Sequence, residues 1–269
     1  MRLTAIVFLS VVVLVGCTKV EHGNLQQGID LFLSNQLQEA LPYLRSAVQC
    51  NPNSADAHAW LAECLRRLRN YDEAAYEARL ALKIDDCHSF SRTVLGNLYN
   101  PQYSQWENAN SESSWLHLKK AIECDSSDGN AWISVWLQAI RRWDLALERS
   151  ALIRLLETGF LTDAVLAYNR WQLQYLPRHA ILLTNGDMDT YPSLALQEKD
   201  GFRNDVAVVN VNLLNLPWYV ELVCRRHNIP LPFEPEEIRS LRAYRTEDGV
   251  FMTPAKQVIA QWIKMEEQG

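Results

Sequence analysis

An internal repeat of about 34 residues limits this chain more than any other feature. The segment Glu21 to Ser54 aligns with Ala55 to His88. Ala40 falls opposite Ala74, and Ala47 opposite Ala81. Leu37 and Tyr71 stand just ahead of acidic residues, Glu39 and Glu73. Units of this length are supersecondary pieces that cannot bury an apolar face alone. Neighbours must stack and share one continuous core.

The pattern resembles the tetratricopeptide repeat, a helical hairpin, with Pro52 at the repeat's terminal proline. Asn70-Tyr71-Asp72-Glu73-Ala74 matches the family's entry to the second helix, with Asn70 or Asp72 able to cap it. A third unit opens at Ser89, where Leu95-Gly96-Asn97-Leu98-Tyr99 matches the family's Leu-Gly-x-x-Tyr. Gly96 lets two helices approach and Tyr99 fills the gap between them. A polar insert, Asn100 to Ser111, stretches this hairpin, and Ser114 to Cys124 is its second helix, with Leu118 and Ala121 in register. A degraded fourth unit opens with Ala131-Trp132 and closes with Asp144 to Glu157. Thr162 to Leu176 reads as a helix that ends the stack before Pro177. The resemblance implies a concave surface for peptides or partner proteins. Its positions are Leu25, Ile29 and Phe32, then Ala59, Glu63, Arg66 and Arg67, then Thr93 and Asn97. The Lys and Asn pattern by which chaperone-type arrays hold a peptide carboxylate is absent, so that ligand is not carried over. Arg66, Arg67 and Arg69 also read as a solvated face.

The first residues read as a processing signal. Arg2 supplies a positive start, and Ala5 to Val15 is apolar without charge, too short to span a bilayer. Leu14-Val15-Gly16-Cys17 then resembles the lipobox of bacterial lipoproteins. The resemblance implies that Cys17 becomes the acylated N-terminus, with several chains giving a stable anchor. Thr18 rather than Asp follows, which by the family's sorting rule does not argue for inner-membrane retention. The expectation is a signal peptide over 1–16, a tether over 17–23 and an outer-membrane lipoprotein of the cell envelope.

Cys50, Cys64, Cys87, Cys124 and Cys224 form no CxxC pair and lack zinc-type histidine spacing. They read as small buried residues. An oxidising compartment would allow a disulfide, but the odd count leaves a thiol over. The formal net charge of −6 gives no broad basic surface, so nucleic acid is not an expected partner. The six histidines are scattered. His58 falls at a packing position, which favours a core role over catalysis.

The period changes at Pro177. Ala180 to Thr184 reads as a strand, Asn185 to Pro192 as a turn-rich polar loop, and Ser193 to Lys199 as a helix with Pro192 at its start and Gly201 closing it. Asp205 to Leu214 reads as a buried parallel strand and Pro217 to His227 as a second helix. Pro235 to Arg242 reads as a further helix, Val250-Phe251 as an edge strand, and Thr253 to Glu267 as a terminal helix capped by Thr253. The expected fold class is mainly α, a tetratricopeptide-type array over 24–176 followed by a small α/β segment of βαβα order over 177–269.

Within that segment, the blocks Leu183 to Pro192, Gly201 to Val206 and Val209 to Leu214, with Trp218-Tyr219, resemble a soluble segment of large bacterial membrane proteins with a protein O-mannosyltransferase-like core. The resemblance covers about residues 177–220. This chain lacks the multispan core, so what the resemblance implies is a binding module linked to envelope glycan or protein processing. A polar loop entering a helix at a strand's carboxyl end is a natural ligand position. Its candidates are Asn185, Asp187, Asp189, Tyr191, Gln197 and Asn210. Asp187 and Asp189 are candidate oxygen ligands for a divalent cation, although the same residues can instead fold the loop and cap the helix. Arg203 and Asp205 read as a turn ion pair.

No Ser nucleophile elbow, phosphate-cradling Gly loop or zinc helix occurs. The functional expectation is a lipid-anchored scaffold that binds a protein or peptide partner, with no cofactor. The alternative is a glycan- or nucleotide-sugar-binding subunit, or a glycosyltransferase-related enzyme, using the Asp187/Asp189 loop.

Overall fold

The computed structural model describes residues 23–268; the expected signal peptide and Cys17 lie outside them. The chain forms two compact units, Met1–Gln138 and Ala139–Gly269, which divide within one helix. Leu176, where the repeat pattern ends, lies within the second unit. No described helix is long and apolar enough to cross a membrane.

In the first unit, α1 (23–33) is followed by α2 (Leu37–Cys50), α3 (Ala55–Arg67), α4 (Tyr71–Ile84), α5 (Ser89–Tyr99) and α6 (Ser111–Cys124). The helix that spans the division is α7 (Gly129–Arg142). Helix α3 packs on α4 and α5 on α6, while α2 against α3 and α4 against α5 join the hairpins. The small residues of the repeat make this possible: Ala40, Ala47, Ala74 and Ala81 are all fully buried. The repetition reaches the backbone, because Asn35 and Arg69 turn their hairpins in the same left-handed conformation, at φ 60° and 66°.

Glycine marks the closest approach within two hairpins. A Cβ at Gly28 would lie 2.7 Å from Leu44 Cδ2, and one at Gly96 only 2.5 Å from Leu118 Cγ. Gly96→Ala should therefore lower the urea midpoint, costing about 1–3 kcal/mol by overpacking. Leu118→Ala, which empties the contested space, should reduce that cost when added. An unchanged midpoint for Gly96→Ala would contradict so close an approach.

The third hairpin departs from the sequence reading in two places. Its second helix begins at Ser111 rather than Ser114, because the Asn110 side chain accepts from the Glu112 and Ser113 amides. The insert before it is built into the core. Trp106 joins the apolar cluster around Leu61, Leu65 and Leu98, and its ring N–H donates to Asp72 at 2.8 Å. Asp72 is thus engaged as an acceptor, and Asn70, at the N-cap of α4, makes no side-chain capping bond.

In the second unit, α8 (Leu145–Glu157) and α9 (Asp163–Gln174) precede the βαβα segment: β1 (Ile181–Thr184), α10 (Asp187–Asp200), β2 (Ala207–Asn210) and α11 (Pro217–His227). A 3-10 turn, Leu213–Asn215, separates β2 from α11. Strands β1 and β2 pair in parallel with Ile181 beside Ala207. Both α8 and α9 pack on α10. Leu173, Leu182, Val206 and Val208 form one buried cluster. Then come α12 (Pro235–Ser240), β3 (Tyr244–Arg245), β4 (Phe251–Met252) and α13 (Pro254–Gln268). Strands β3 and β4 form an antiparallel pair, so the expected edge strand has its own hairpin partner. Thr253 caps α13 by accepting from the Lys256 amide.

The main correction falls on the expected loop before Pro192. Helix α10 starts at Asp187 and contains Pro192. Proline removes the amide that would bond to the Met188 carbonyl, four residues back. The Asn169 side chain on α9 supplies the missing donor to that carbonyl at 2.9 Å, and its own oxygen accepts from Ser193. A buried amide from a neighbouring helix keeps a proline-containing turn helical.

Candidate functional site

Two places collect the candidate residues, one in each unit. In the first unit, α1, α3 and α5 supply the face that lines the inner surface of stacked hairpins. Three half-buried rings form a ladder across these helices. Phe32 meets Trp60 edge-on with centroids 5.5 Å apart, and Trp60 meets Phe90 at 4.7 Å. Arg67 lies over the Phe32 ring at 5.5 Å and donates to Asn35.

Of the polar candidates of this face, Glu63, Arg66, Arg67 and Asn97 are paired within the chain, while the buried Thr93 hydroxyl has no hydrogen-bond partner. Arg66 makes two 2.7 Å bonds to Glu63, one helical turn earlier, and the Glu63 charge holds its guanidinium above the ordinary range despite burial. Asn97 accepts from Ser134. Thr93 and Ala59 are buried, and Ile29 is half-buried. Phe32, Arg67 and Ile29 thus remain part of an accessible surface, while Arg66 and Glu63 neutralise each other. Trp60 and Phe90 are not singled out by the sequence, because the rings they meet lie on neighbouring hairpins.

Two histidines in this unit are held in opposite charge states. His58 is buried with Nδ1 2.5 Å from Glu77 and Nε2 3.0 Å from the Pro52 carbonyl. Both partners are acceptors, so both ring nitrogens carry protons. The bond to Glu77, opposed by burial, raises the His58 pKa. His117 stacks on Tyr99 and its Nδ1 is buried without a hydrogen-bond partner. Burial first, then Arg92 and Arg79, lower its pKa to about 4.

The signs follow by linkage. His117 stays neutral in the fold while the unfolded chain takes up a proton below about pH 6.5. Its contribution is lost as pH falls from there toward 4. His58 contributes fully below pH 6.5, and that contribution is lost as pH rises through its raised folded pKa. The melting temperature should fall on both sides of about pH 6.5. His117→Phe should flatten the acid side and His58→Gln the alkaline side; unchanged slopes in these variants would refute the assignments.

In the second unit, the β1–α10 loop turns most of its polar groups onto its own backbone. Asp189 accepts from the amides of Asn185 and Gly186 at 2.9 and 2.8 Å, which fixes the start of α10. Asn210 accepts from the Asn212 and Leu213 amides and donates to Thr190. Gln197 donates to the carbonyls of Arg203 and Val206, and Tyr191 is buried. The Asn185 carbonyl accepts from Asn212. Asp187 is exposed at the first helical position, where desolvation and then the Asp189 charge raise its pKa. Among the described residues, no group of three or more His, Cys, Asp or Glu side chains is placed to hold a metal ion.

Arg203 and Asp205 form the expected ion pair, at 2.8 and 2.9 Å. Arg203 also donates to the carbonyls of Leu173, Leu176 and Pro177, closing the end of α9. The cysteines divide among three environments, with Cys50 half-buried. Cys87 and Cys124 are joined in a disulfide, while Cys64 and Cys224 are buried and desolvation pushes each thiol up to about 11.

The family described as tetratricopeptide repeat matches residues 31–85, and that described as TMEM260-associated domain 2 matches residues 166–266. No curated protein matches the chain. Among solved structures, it is similar to one described as "Functional Characterization of Pseudomonas Aeruginosa pilF". The two share 19% identity over 80% of this chain and 87% of that one, with a TM-score of 0.48. It is also similar to a thermophilic tetratricopeptide protein of Thermus thermophilus, at 20% identity. That match covers 65% of this chain and 98% of the other, with a TM-score of 0.44. The chain therefore carries a tetratricopeptide-repeat domain, an architecture suited to protein–protein interaction, and in its second unit a match to TMEM260-associated domain 2.

Proposed function

We propose that this chain is a lipid-anchored protein of the bacterial cell envelope that docks a protein or peptide partner on the inner face of its repeats. The aromatic ladder Phe32–Trp60–Phe90 carries the reading. Half-buried Trp and Phe rings in a row, flanked by Arg67, have the residue types that dominate binding energy at protein interfaces. The Leu14-Val15-Gly16-Cys17 sequence supports the anchor. The Cys87–Cys124 disulfide supports export, because such bonds persist in exported proteins and are rare in the reducing cytosol. Resemblance of residues 177–220 to a segment of O-mannosyltransferase-like membrane proteins supports a place in glycan-linked envelope processing.

Photo-cross-linking in whole cells tests both parts. A cross-linker at Phe90 should capture a discrete protein set that one at Tyr76, exposed on a second helix of the array, does not. Cys17→Ser should move the protein out of the membrane fraction. Identical captures from both positions would remove the inner face as the docking surface, and membrane retention of Cys17→Ser would remove the anchor.

A further inference from the structure

The two edges of the β1–β2 sheet are finished differently. At the two ends of β2, the outer edge is covered by side chains: Gln197 donates to the carbonyl of Val206, just before the strand, and the Tyr219 hydroxyl accepts from the Asn210 amide. On β1, the Ala180 and Thr184 carbonyls accept from Ala207 and Val211 of the β2 side. With the parallel register, this turns the backbone groups of Ile181 and Leu183 to the opposite edge. No described residue hydrogen-bonds to them. Ile181 and Leu183 are also 36% and 42% exposed. Natural edge strands are usually blunted by charge, proline, a bulge or shortness; Ile181-Leu182-Leu183-Thr184 carries no charge, proline or bulge and is blunted by shortness alone.

We propose that this edge pairs with β1 of a second copy of the chain, antiparallel, about a two-fold axis at Leu182. In that register Ile181 of each copy meets Leu183 of the other, and the outward groups exchange about four hydrogen bonds. Charge selects both the partner and the direction. The strand is flanked by exposed Arg178 before it and exposed Asp187 after it, and neither has a salt-bridge partner among the described residues. Antiparallel self-pairing brings each arginine to the aspartate end of the other copy, whereas parallel pairing would set like charge against like. A membrane tether would raise the effective concentration of so small an interface.

Sedimentation velocity of the full chain in detergent, from about 1 to about 100 μM, the range of weak association, tests this. A reversible dimer is expected. Arg178→Glu and Asp187→Arg should each weaken it by about ten-fold or more, and an equimolar mixture of the two should restore pairing, because each reversed charge then meets its complement. Leu183→Lys, whose amide is outside the β1–β2 ladder, should weaken the dimer at an unchanged melting temperature. A monomer throughout, a dimer indifferent to these changes, no rescue on mixing, or pairing only with a strand of another protein would each overturn the proposal.

Discussion

Replacing Cys87 and Cys124 with Ser is expected to lower the stability of the first unit by about 3–4 kcal/mol, the loop-closure value for a cross-link of this span. The two cysteines are 37 residues apart, one just before α5 and the other at the end of α6. The bond therefore clasps the open end of the hairpin whose other end is lengthened by the 100–110 insert. A lengthened connection makes pairing of α5 with α6 entropically costlier, and the disulfide offsets that cost by restricting the unfolded chain. Reduction of the native protein should reproduce the effect in urea melts, and the double Ser variant should be insensitive to reductant. Equal midpoints for oxidised, reduced and Ser-substituted protein would exclude the bond as a stabilising element.

The second large effect is expected at Asn169. This residue is fully buried and serves both the Met188 carbonyl, orphaned by Pro192, and the Ser193 hydroxyl. Asn169→Leu strands the buried Ser193 hydroxyl, at about 1–3 kcal/mol, and removes the donor to the partly buried Met188 carbonyl. The prediction has a diagnostic coupling. Pro192→Ala supplies an amide for Met188, so the cost of Asn169→Leu should shrink by about 1 kcal/mol or more in the Pro192→Ala background. Strictly additive effects in a denaturation cycle would show that Asn169 does not act through the proline turn.

These two sites also mark where sequence reasoning ran out. The repeat was legible because its signals are local and periodic: Ala40, Ala74, Ala47 and Ala81 recur at fixed spacing and all are buried. Gly96 was legible for the same reason. The start of α10 was not, because Pro192 argues for a boundary in local terms and only Asn169, on another helix, overrides it. The disulfide partners could not be chosen from five cysteines without knowing which turns face each other. Trp106 looked like part of a polar insert because its apolar neighbours lie in earlier hairpins. The candidate loop shows the converse. Asp189 and Asn210 have the residue types of a ligand site, yet the amides they accept from lie within four residues.

The docking face can be tested most directly by titrating a partner recovered from Phe90 cross-links against the native protein and Trp60→Ala. Trp60 touches both Phe32 and Phe90, so its loss breaks the ladder at its centre. Weakening by about ten-fold or more is expected at Trp60→Ala, the size of an interface hot spot, with no comparable change for Tyr76→Ala. Equal affinity for native protein and Trp60→Ala, with both folded by circular dichroism, would show that the partner does not dock on this face.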